Sequence, residues 1–579
     1  MHFVRKVPTS EEEKAAKRKE HEKRSQQFLH ARDRIVSKRE KGEYDDEMLS
    51  LTQAILEKNA DIYTFWNIRR EAIQQRIDAN LKIQENHKSS EEEKTKSAQK
   101  IENLLAGELY LSYECIKTNP KSYSAWYQRA WVLQRQSAPD LAKELALCEK
   151  ALQMDCRNFH CWDHRRIVAR LAKRSEQQEL EFSNKLIEEN FSNYSAWHYR
   201  SIALKSIHRN EKTGSVRLDD SIIASELQKV KSAFYMDADD QSAWSYTRWL
   251  LENGSGKEFL RPDSTTPISL ISASFHGTNT TLVFSRAVTL HVLLTFVDTD
   301  DTSQWKAFSS TSPSPSSSRV WQFHSQTPLR IATNWADVTD GAWIEIDGKP
   351  FVDETKLKLI YDIVEPKQPE HIGELLDDCK QLIELEPKNK WPLYMRTLVL
   401  MEYQPISAHK EIIGALKSLA EALDPKRAEL YRALISRQNL NLCVRDQFAR
   451  LLDSQSDELV VRYSELSSLE GVEYLAGLVG SADLSGNQLK DVHRIVLPNL
   501  HSLTINENPI ESLSPSPSLA HLQFLSIAST RISSVSQLAP FFQSVPALTR
   551  LVFCETPLVE KTAELRTQLP AVRLIPHWL

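Results

Sequence analysis

Four residues in one short stretch are of types that bind metals: Cys156, His160, Cys161 and His164, within DCRNFHCWDHRR (155–166). A zinc site needs thiolates and imidazoles converging on one point. The C-x3-H-C-x2-H order lacks the usual zinc-finger spacing. Cys156, His160 and His164 would share one helix face only if the helix began before Cys156, and the surrounding pattern places a turn there. Ordinary packing is therefore expected of them. Asp298, Asp300 and Asp301 form a single acidic cluster, read as a solvated hairpin tip rather than a calcium loop. Gly254-Ser255-Gly256-Lys257 is too short to be a G-x-x-x-x-G-K-[ST] phosphate loop, and neither H-E-x-x-H nor G-x-S-x-G occurs.

The elements around these residues repeat. Five segments align on a tryptophan: NADIYTFWNIRR (59–70), NPKSYSAWYQRA (119–130), DCRNFHCWDHRR (155–166), NFSNYSAWHYRS (190–201) and DADDQSAWSYTR (237–248). A degenerate sixth copy, EPKNKWPLYMRT (386–397), is placed around Trp391. The middle tryptophans, Trp126, Trp162 and Trp197, are 36 and 35 residues apart, which fits one helical hairpin per repeat. An Asn, Asp or Glu opens each block; Asn119 before Pro120 reads as an N-cap followed by proline at the first helical position. In the first four blocks the aromatic three residues before the Trp is expected on the same face one turn away, and Arg69, Arg129, Arg165 and Arg200 one turn beyond it. Stretches such as LAKELALCEKALQ (141–153) carry apolar residues near i, i+3, i+4 and i+7. Each repeat thus reads as helix, turn, helix, and such repeats bury their faces only by stacking into a solenoid. The tryptophan row is expected to be core rather than an aromatic cage. The arginines are expected to pair with carboxylates of neighbouring repeats or of a partner, not to form a basic strip.

At 579 residues the chain has room for about four domains. Hydrophobic residues at 41% and charged residues at 26% are an ordinary soluble balance. Only 14 glycines occur, so glycine-rich phosphate loops are not expected to dominate. A net charge of −5 argues against general nucleic-acid binding. Seven scattered cysteines suggest a reducing compartment. No stretch of about 18 apolar residues is present and the N-terminus lacks an apolar signal region, so a cytoplasmic protein without membrane insertion is expected. Residues 11–40 are mixed-charge and read as a solvated helix. Across 253–365 β-rich runs appear: TLVFSRAVTLHVLLTFV (281–297), RVWQF (319–323), AWIEI (342–346) and LKLIYDIV (357–364). Short strands at this density suggest an antiparallel β-sandwich, Ig- or C2-like. The tail repeats LVGSADLSGNQL (478–489), LHSLTINENPI (500–510), LQFLSIASTRI (522–532) and LTRLVFCETPL (548–558). Leu484, Ile505, Ile527 and Phe553 recur at spacings of 21, 22 and 26, a leucine-rich pattern with Asn487 and Asn508 at the ladder position and Thr530 and Thr556 replacing them. The expected organisation is mainly α: helical repeats over 1–252, a β-sandwich insert over 253–365, helical continuation over 366–440 and leucine-rich repeats over 441–579.

The blocks NPKSYSAW and NFHCWDHRR resemble those of protein prenyltransferase α subunits. The order of helical repeats, β insert, helical repeat and leucine-rich tail is similar to the animal form of the type II, Rab geranylgeranyltransferase, α subunits, over essentially the whole chain. That resemblance implies a β subunit, an α–α barrel wrapped by this chain, that holds a catalytic Zn2+ and the isoprenoid pocket. It implies transfer of geranylgeranyl from geranylgeranyl diphosphate to C-terminal cysteines of Rab GTPases presented by a Rab escort protein. Lys121, five residues before Trp126, matches a family lysine that reaches the diphosphate. Tyr123, Asn158 and His160 fall on the loop edge that faces the active-site mouth in the family and are expected to contact diphosphate or exiting peptide. Phe159 stands where relatives carry Tyr, and Tyr127-Gln128 where paired histidines are common. His2 matches a position from which the N-terminal segment can reach the partner's zinc as an inhibitory ligand. The alternative is a non-enzymatic helical and leucine-rich adaptor, since fold alone does not fix function.

Overall fold

The structure is a computed structural model that describes residues 11–87, 89–209, 218–254, 268–276, 278–299, 303–309, 316–324, 329–340, 342–346, 350–453 and 456–577. The chain divides into two compact units, Met1–Ile207 and His208–Leu579.

The first unit is helical: α1 (Glu11–Glu40), α2 (Asp46–Leu56), α3 (Tyr63–Glu85), α4 (Glu91–Thr118), α5 (Tyr123–Leu133), α6 (Leu141–Met154), α7 (Phe159–Leu171), α8 (Glu176–Glu189) and α9 (Tyr194–Ile207). The first helix of each hairpin starts on a short polar cap. Ser90 with Glu93 and Ser175 with Gln178 form capping boxes, and Asp140 accepts from Lys143 N. The turn that follows is made differently from the expectation. Asn119 ends α4 instead of starting α5, whose N-cap is Ser122. The reason is an Asx turn: Asn59, Asn119, Asp155 and Asn190 each accept through Oδ1 from the backbone N–H two residues on. An Asn or Asp is thus used here to bend the chain, and a second polar residue is needed to start the helix.

Each tryptophan then locks its own turn. The indole Nε1–H donates to the carbonyl six residues earlier: Trp66 to Ala60, Trp126 to Pro120, Trp162 to Cys156 and Trp197 to Phe191, at 2.8–2.9 Å. All four side chains are buried, so the row is core with one satisfied donor per ring. The aromatic three residues earlier does not join it. Tyr63, Tyr123, Phe159 and Tyr194 begin their helices and are exposed, because a first-turn side chain overhangs the helix end.

In the second unit, α10 (Asp220–Met236) and α11 (Gln241–Gly254) precede the insert. The insert comprises β1 (Leu270–His276), β2 (Asn279–Thr289), α12 (Leu290–Leu293), β3 (Trp305–Phe308), β4 (Ser317–His324), β5 (Arg330–Ile331), α13 (Trp335–Asp340), β6 (Ile344–Glu345), β7 (Phe351–Val352) and α14 (Glu354–Ile360). Its main sheet is antiparallel, ordered β3-β4-β2-β1-β7, and β5 pairs with β6 separately. The run 357–364 is not a strand. Asp353 caps α14, and Leu357, Ile360 and Tyr361 are buried together at helical spacing.

Helices resume with α15 (Glu370–Leu385), α16 (Lys390–Tyr403), α17 (His409–Ser418) and α18 (Ala428–Leu452). Lys231 and Tyr235 of α10 bind Asp378 of α15 at 2.8 and 2.9 Å, so the helical stack closes across the point of insertion. Trp244 repeats the indole bond, to Ala238 O at 2.9 Å. Trp391 does not mark the sixth copy. It lies half-buried in the first turn of α16, and Leu393 occupies the tryptophan's register. Arg396 fixes that register: its Nη1 donates to Leu376 O, 20 residues back, as Arg129 does to Leu109 O and Arg200 to Leu180 O.

The tail contains β8 (Glu458–Val460), β9 (Ser481–Asp483), β10 (Ser502–Thr504), β11 (Phe524–Ser526), α19 (Val535–Ser544), β12 (Arg550–Val552), α20 (Thr562–Gln568) and β13 (Arg573–Ile575). The six strands form one parallel sheet in chain order. The expected boundary at 440 falls inside α18, whose Leu440, Val444, Phe448 and Leu451 face the tail core and cover its first strand. Asn487 Nδ2 donates to Val461 O and Leu484 O while its Oδ1 accepts from Ser464 and Leu466 N. Asn508 repeats the reach between units, whereas among the described residues Thr530 and Thr556 bond to carbonyls of their own unit. A left-handed residue precedes each of the four: Gly486, Glu507, Ser529 and Glu555. Insert and tail are also fastened together. Thr281 Oγ1 donates to Asn499 Oδ1 at 3.0 Å, and a Cβ on Gly477 would stand 3.2 Å from Ser272 Oγ.

Candidate functional site

The residues singled out in the first unit lie on one edge, where the Asx turns follow one another. Polar side chains tie these turns into a row. Asn119 Nδ2 donates to Asp61 Oδ2 at 2.9 Å, Ser122 Oγ to Ala60 O at 3.2 Å and Asn158 Nδ2 to Pro120 O at 2.9 Å. Asn158 is buried, and its Oδ1 also caps α7 by accepting from Cys161 N at 3.4 Å. Both ends of its amide are engaged in holding the backbone beside Lys121.

Lys121 projects from its turn with 70% of its side chain exposed, and Nζ stands 3.5 Å from Asp155 Oδ2. A contact that exposed restrains the ammonium only weakly. Tyr123 starts α5, and its exposed ring meets His160 edge-on with centroids 4.1 Å apart and Phe159 at 5.7 Å. His160 is buried beneath that ring. Burial lowers its imidazole below the usual range; Asp163 and Asp61 oppose the shift and Lys121 adds to it. A neutral imidazole follows near neutral pH. Lys121, Tyr123 and His160 thus gather at one place, an exposed cation beside an aromatic pair, and Asn158 lies underneath as their support. His2 lies outside the described residues.

Arg157 belongs with this group and was not singled out in the sequence. It occupies the Asx-turn position that Lys121 holds one repeat earlier and is exposed, without a carboxylate partner among the described residues. Aligning 119–123 with 155–159 puts Lys121 and Arg157 in one column, which is the signal that finds it.

The arginines meet the expectation that they pair with carboxylates of neighbouring repeats, although the glutamates they meet were not singled out. Arg69 inserts onto buried Glu108 at 2.7 Å, Arg129 onto Glu144 at 2.5 Å and Arg165 onto Glu179 at 2.9 Å. The same glutamate accepts from the residue two positions after the next tryptophan, always 20 residues ahead: Gln128, His164 and Tyr199, at 3.0, 2.7 and 2.7 Å. Burial pushes the Glu144 carboxyl up, but His164 and Arg129 overcome it and hold the group at about 2. This row carries charge through the stack and is buried, so it positions the repeats and meets no substrate. Three of the four metal-type residues turn to separate partners. His164 turns to Glu144, Cys161 Sγ to Cys148 O at 3.4 Å and His160 to the Tyr123 ring.

Comparison with known proteins places this edge in context. Residues 105–136, 141–171, 176–207 and 223–254 match the protein prenyltransferase alpha subunit repeat. The bovine (Bos taurus) geranylgeranyl transferase type-2 subunit alpha is 33% identical over 600 aligned residues, covering 99% of this chain and 100% of the relative. The human protein of the same name is also 33% identical, over 99% of each chain. A Dictyostelium discoideum relative of that name is 36% identical over 253 residues, 43% of this chain and 75% of its own.

Proposed function

The chain belongs to the geranylgeranyl transferase type-2 α-subunit family, and from that premise we propose how it works. As the α subunit of a cytoplasmic heterodimer, it takes part in transferring geranylgeranyl from geranylgeranyl diphosphate to C-terminal cysteines of Rab GTPases, which an escort protein presents. Its Asx-turn edge lies against the mouth of the β subunit's pocket. Zinc is assigned to that β subunit, where it would supply a thiolate by lowering the cysteine's pKa. Among the described residues of this chain no three His, Cys, Asp or Glu side chains converge on a metal position.

The chemistry left to this chain is electrostatic. When the thiolate forms its bond to C1 of the isoprenoid, the C–O bond to diphosphate breaks and the departing oxygen gains negative charge. A positioned ammonium stabilises that charge more in the transition state than in the ground state. Lys121 supplies it, and Arg157, one repeat along, extends the positive edge toward the terminal phosphate. Tyr123 and His160 give the isoprenoid or exiting peptide an apolar, uncharged wall, and Asn158 holds the Pro120–Lys121 backbone in place. The insert is read as an Ig/C2-like sandwich and the tail as leucine-rich repeats, both outside the transfer chemistry.

The observation that carries this reading is the grouping of Lys121 and Arg157 on tied neighbouring turns beside the Tyr123–His160 pair. The test is reconstitution with a type-2 β subunit, labelled geranylgeranyl diphosphate, a Rab and an escort protein. Transfer by the wild-type complex, reduced by Lys121→Ala with the heterodimer intact, supports it. A chain that neither binds β nor supports transfer would return the question to the adaptor alternative.

A further inference from the structure

The parallel sheet of the tail has two faces, and only one belongs to the main core. Along β12, Leu551 and Phe553 enter that core, while Arg550, Val552 and Cys554 alternate to the other side. There Ala528, Val552 and Cys554 form a small apolar cluster of their own, flanked by half-buried Phe524 and Ile575. Beside this cluster stand two arginines. Arg550 and Arg573 are register partners on adjacent parallel strands, and Phe524 is the partner of Arg550 on its other side. Both arginines are exposed, and neither has an ion pair among the described residues. The Arg550 guanidinium lies over the Phe524 ring, 4.9 Å from its centroid.

Like charges side by side across neighbouring strands repel. Elsewhere on the same face Arg462 pairs with Asp483. Arg550 and Arg573 instead stand side by side at the margin of the apolar cluster. Two guanidinium forks in register suit carboxylates, and the adjoining half-buried Phe524 and Ile575 suit one bulky apolar side chain.

We propose that this face of the tail binds an extended acidic peptide segment of a partner protein, with carboxylates on Arg550 and Arg573 and an apolar side chain against Phe524 and Ile575. A lipid surface fits less well. Polybasic membrane patches use about 4–8 Lys/Arg, and the cluster's central residues are already covered by their neighbours.

The test uses the full chain in complex with its β subunit and a fluorescein-labelled Glu-Glu-Leu-Phe-Glu-Glu peptide, followed by anisotropy at low salt. Saturable binding is expected, about tenfold or more weaker in Arg550→Gln/Arg573→Gln, the loss of one or more charge-assisted contacts. The charge-reversed peptide Lys-Lys-Leu-Phe-Lys-Lys should not bind, and prenyl transfer should be unchanged. Phe524→Ser, with both arginines kept, should also weaken the acidic peptide. The proposal is overturned by absent saturable binding, by equal affinity in the double variant, or by equal binding of the basic peptide. It is also overturned if phosphatidylserine vesicles bind through these arginines and the peptide does not, which would make the face a lipid site.

Discussion

Replacing Lys121 by alanine should slow the chemical step and leave the fold alone. The side chain is 70% exposed and its one ion pair, to Asp155, is 3.5 Å long, so its removal opens no cavity and strands no buried charge. Against a diphosphate the balance differs. Two unit charges about 4 Å apart interact by about 1 kcal/mol in water and about 4 kcal/mol at an effective dielectric near 20, and a site closed over by a second subunit falls between. Only the part that grows as charge moves onto the leaving oxygen accelerates the step. That leaves about 1–3 kcal/mol, or roughly 5- to 150-fold in rate at about 1.4 kcal/mol per tenfold. The assay is single-turnover transfer of labelled geranylgeranyl in the reconstituted complex at saturating diphosphate, which separates chemistry from product release. Lys121→Arg should retain most of the rate, because the charge stays. A Lys121→Ala complex that is intact and turns over within about twofold of wild type would refute the reasoning, since the lost electrostatic term was bounded well above that.

Other consequences concern the framework. Glu144→Gln leaves Arg129 buried without its carboxylate and should destabilise the helical unit by about 3–5 kcal/mol, read by chemical denaturation; an unchanged midpoint would show that the pair is dispensable. The same carboxyl sits at about 2 against an ordinary 4.5, so its stabilisation is complete above 4.5 and drains away as pH falls from there toward 2. Acid unfolding of wild type should therefore steepen in that window, and the Gln variant should lose that dependence. Asn487→Ala strips partners from Ser464 and Leu466 N and from Val461 O. At about 1–3 kcal/mol for each stranded backbone group, the tail should lose several kcal/mol, and a fall in melting temperature no larger than that of Thr530→Ala would contradict the ladder. Trp162→Phe keeps an aromatic ring in the core but removes the pyrrole half of the indole and its bond to Cys156 O. It should cost about 2–3 kcal/mol, from the small cavity and the lost bond together, and speed amide exchange in the turn at 155–158, and unaltered exchange there would argue against the locking role.

How far the site could be read in advance varied by residue. Lys121, Tyr123 and His160 of the candidate site were reachable through a motif, because residues at fixed offsets from a tryptophan stay in line from repeat to repeat. Asn158 was reachable as a position but not as a role: that its amide spans two turns depends on how close the neighbouring loop stands. Arg157 required aligning turns rather than helices. The glutamates Glu108, Glu144 and Glu179 gave no local sign of burial, since a charged residue on a helix is ordinarily solvated and only the arginine of another helix makes it a core group.

The sequence by itself determined the repeat lengths, the turns and the alternation of apolar and polar positions, because these depend on neighbours within a few residues. It also announced a leucine-rich repeat in the tail, in four units that hold four of the six strands. The outermost pair, β8 and β13, lie outside those four units and each joins the sheet through the one strand beside it. Tertiary structure alone decided that α18 would cover the tail core, that 357–364 would begin as helix, and which buried glutamates the inner arginines would meet. It also decided that Arg550 and Arg573 would stand side by side. Each of these outcomes rests on a partner distant in sequence, whose approach sets which charges are buried, which backbone groups are paired and which faces remain open.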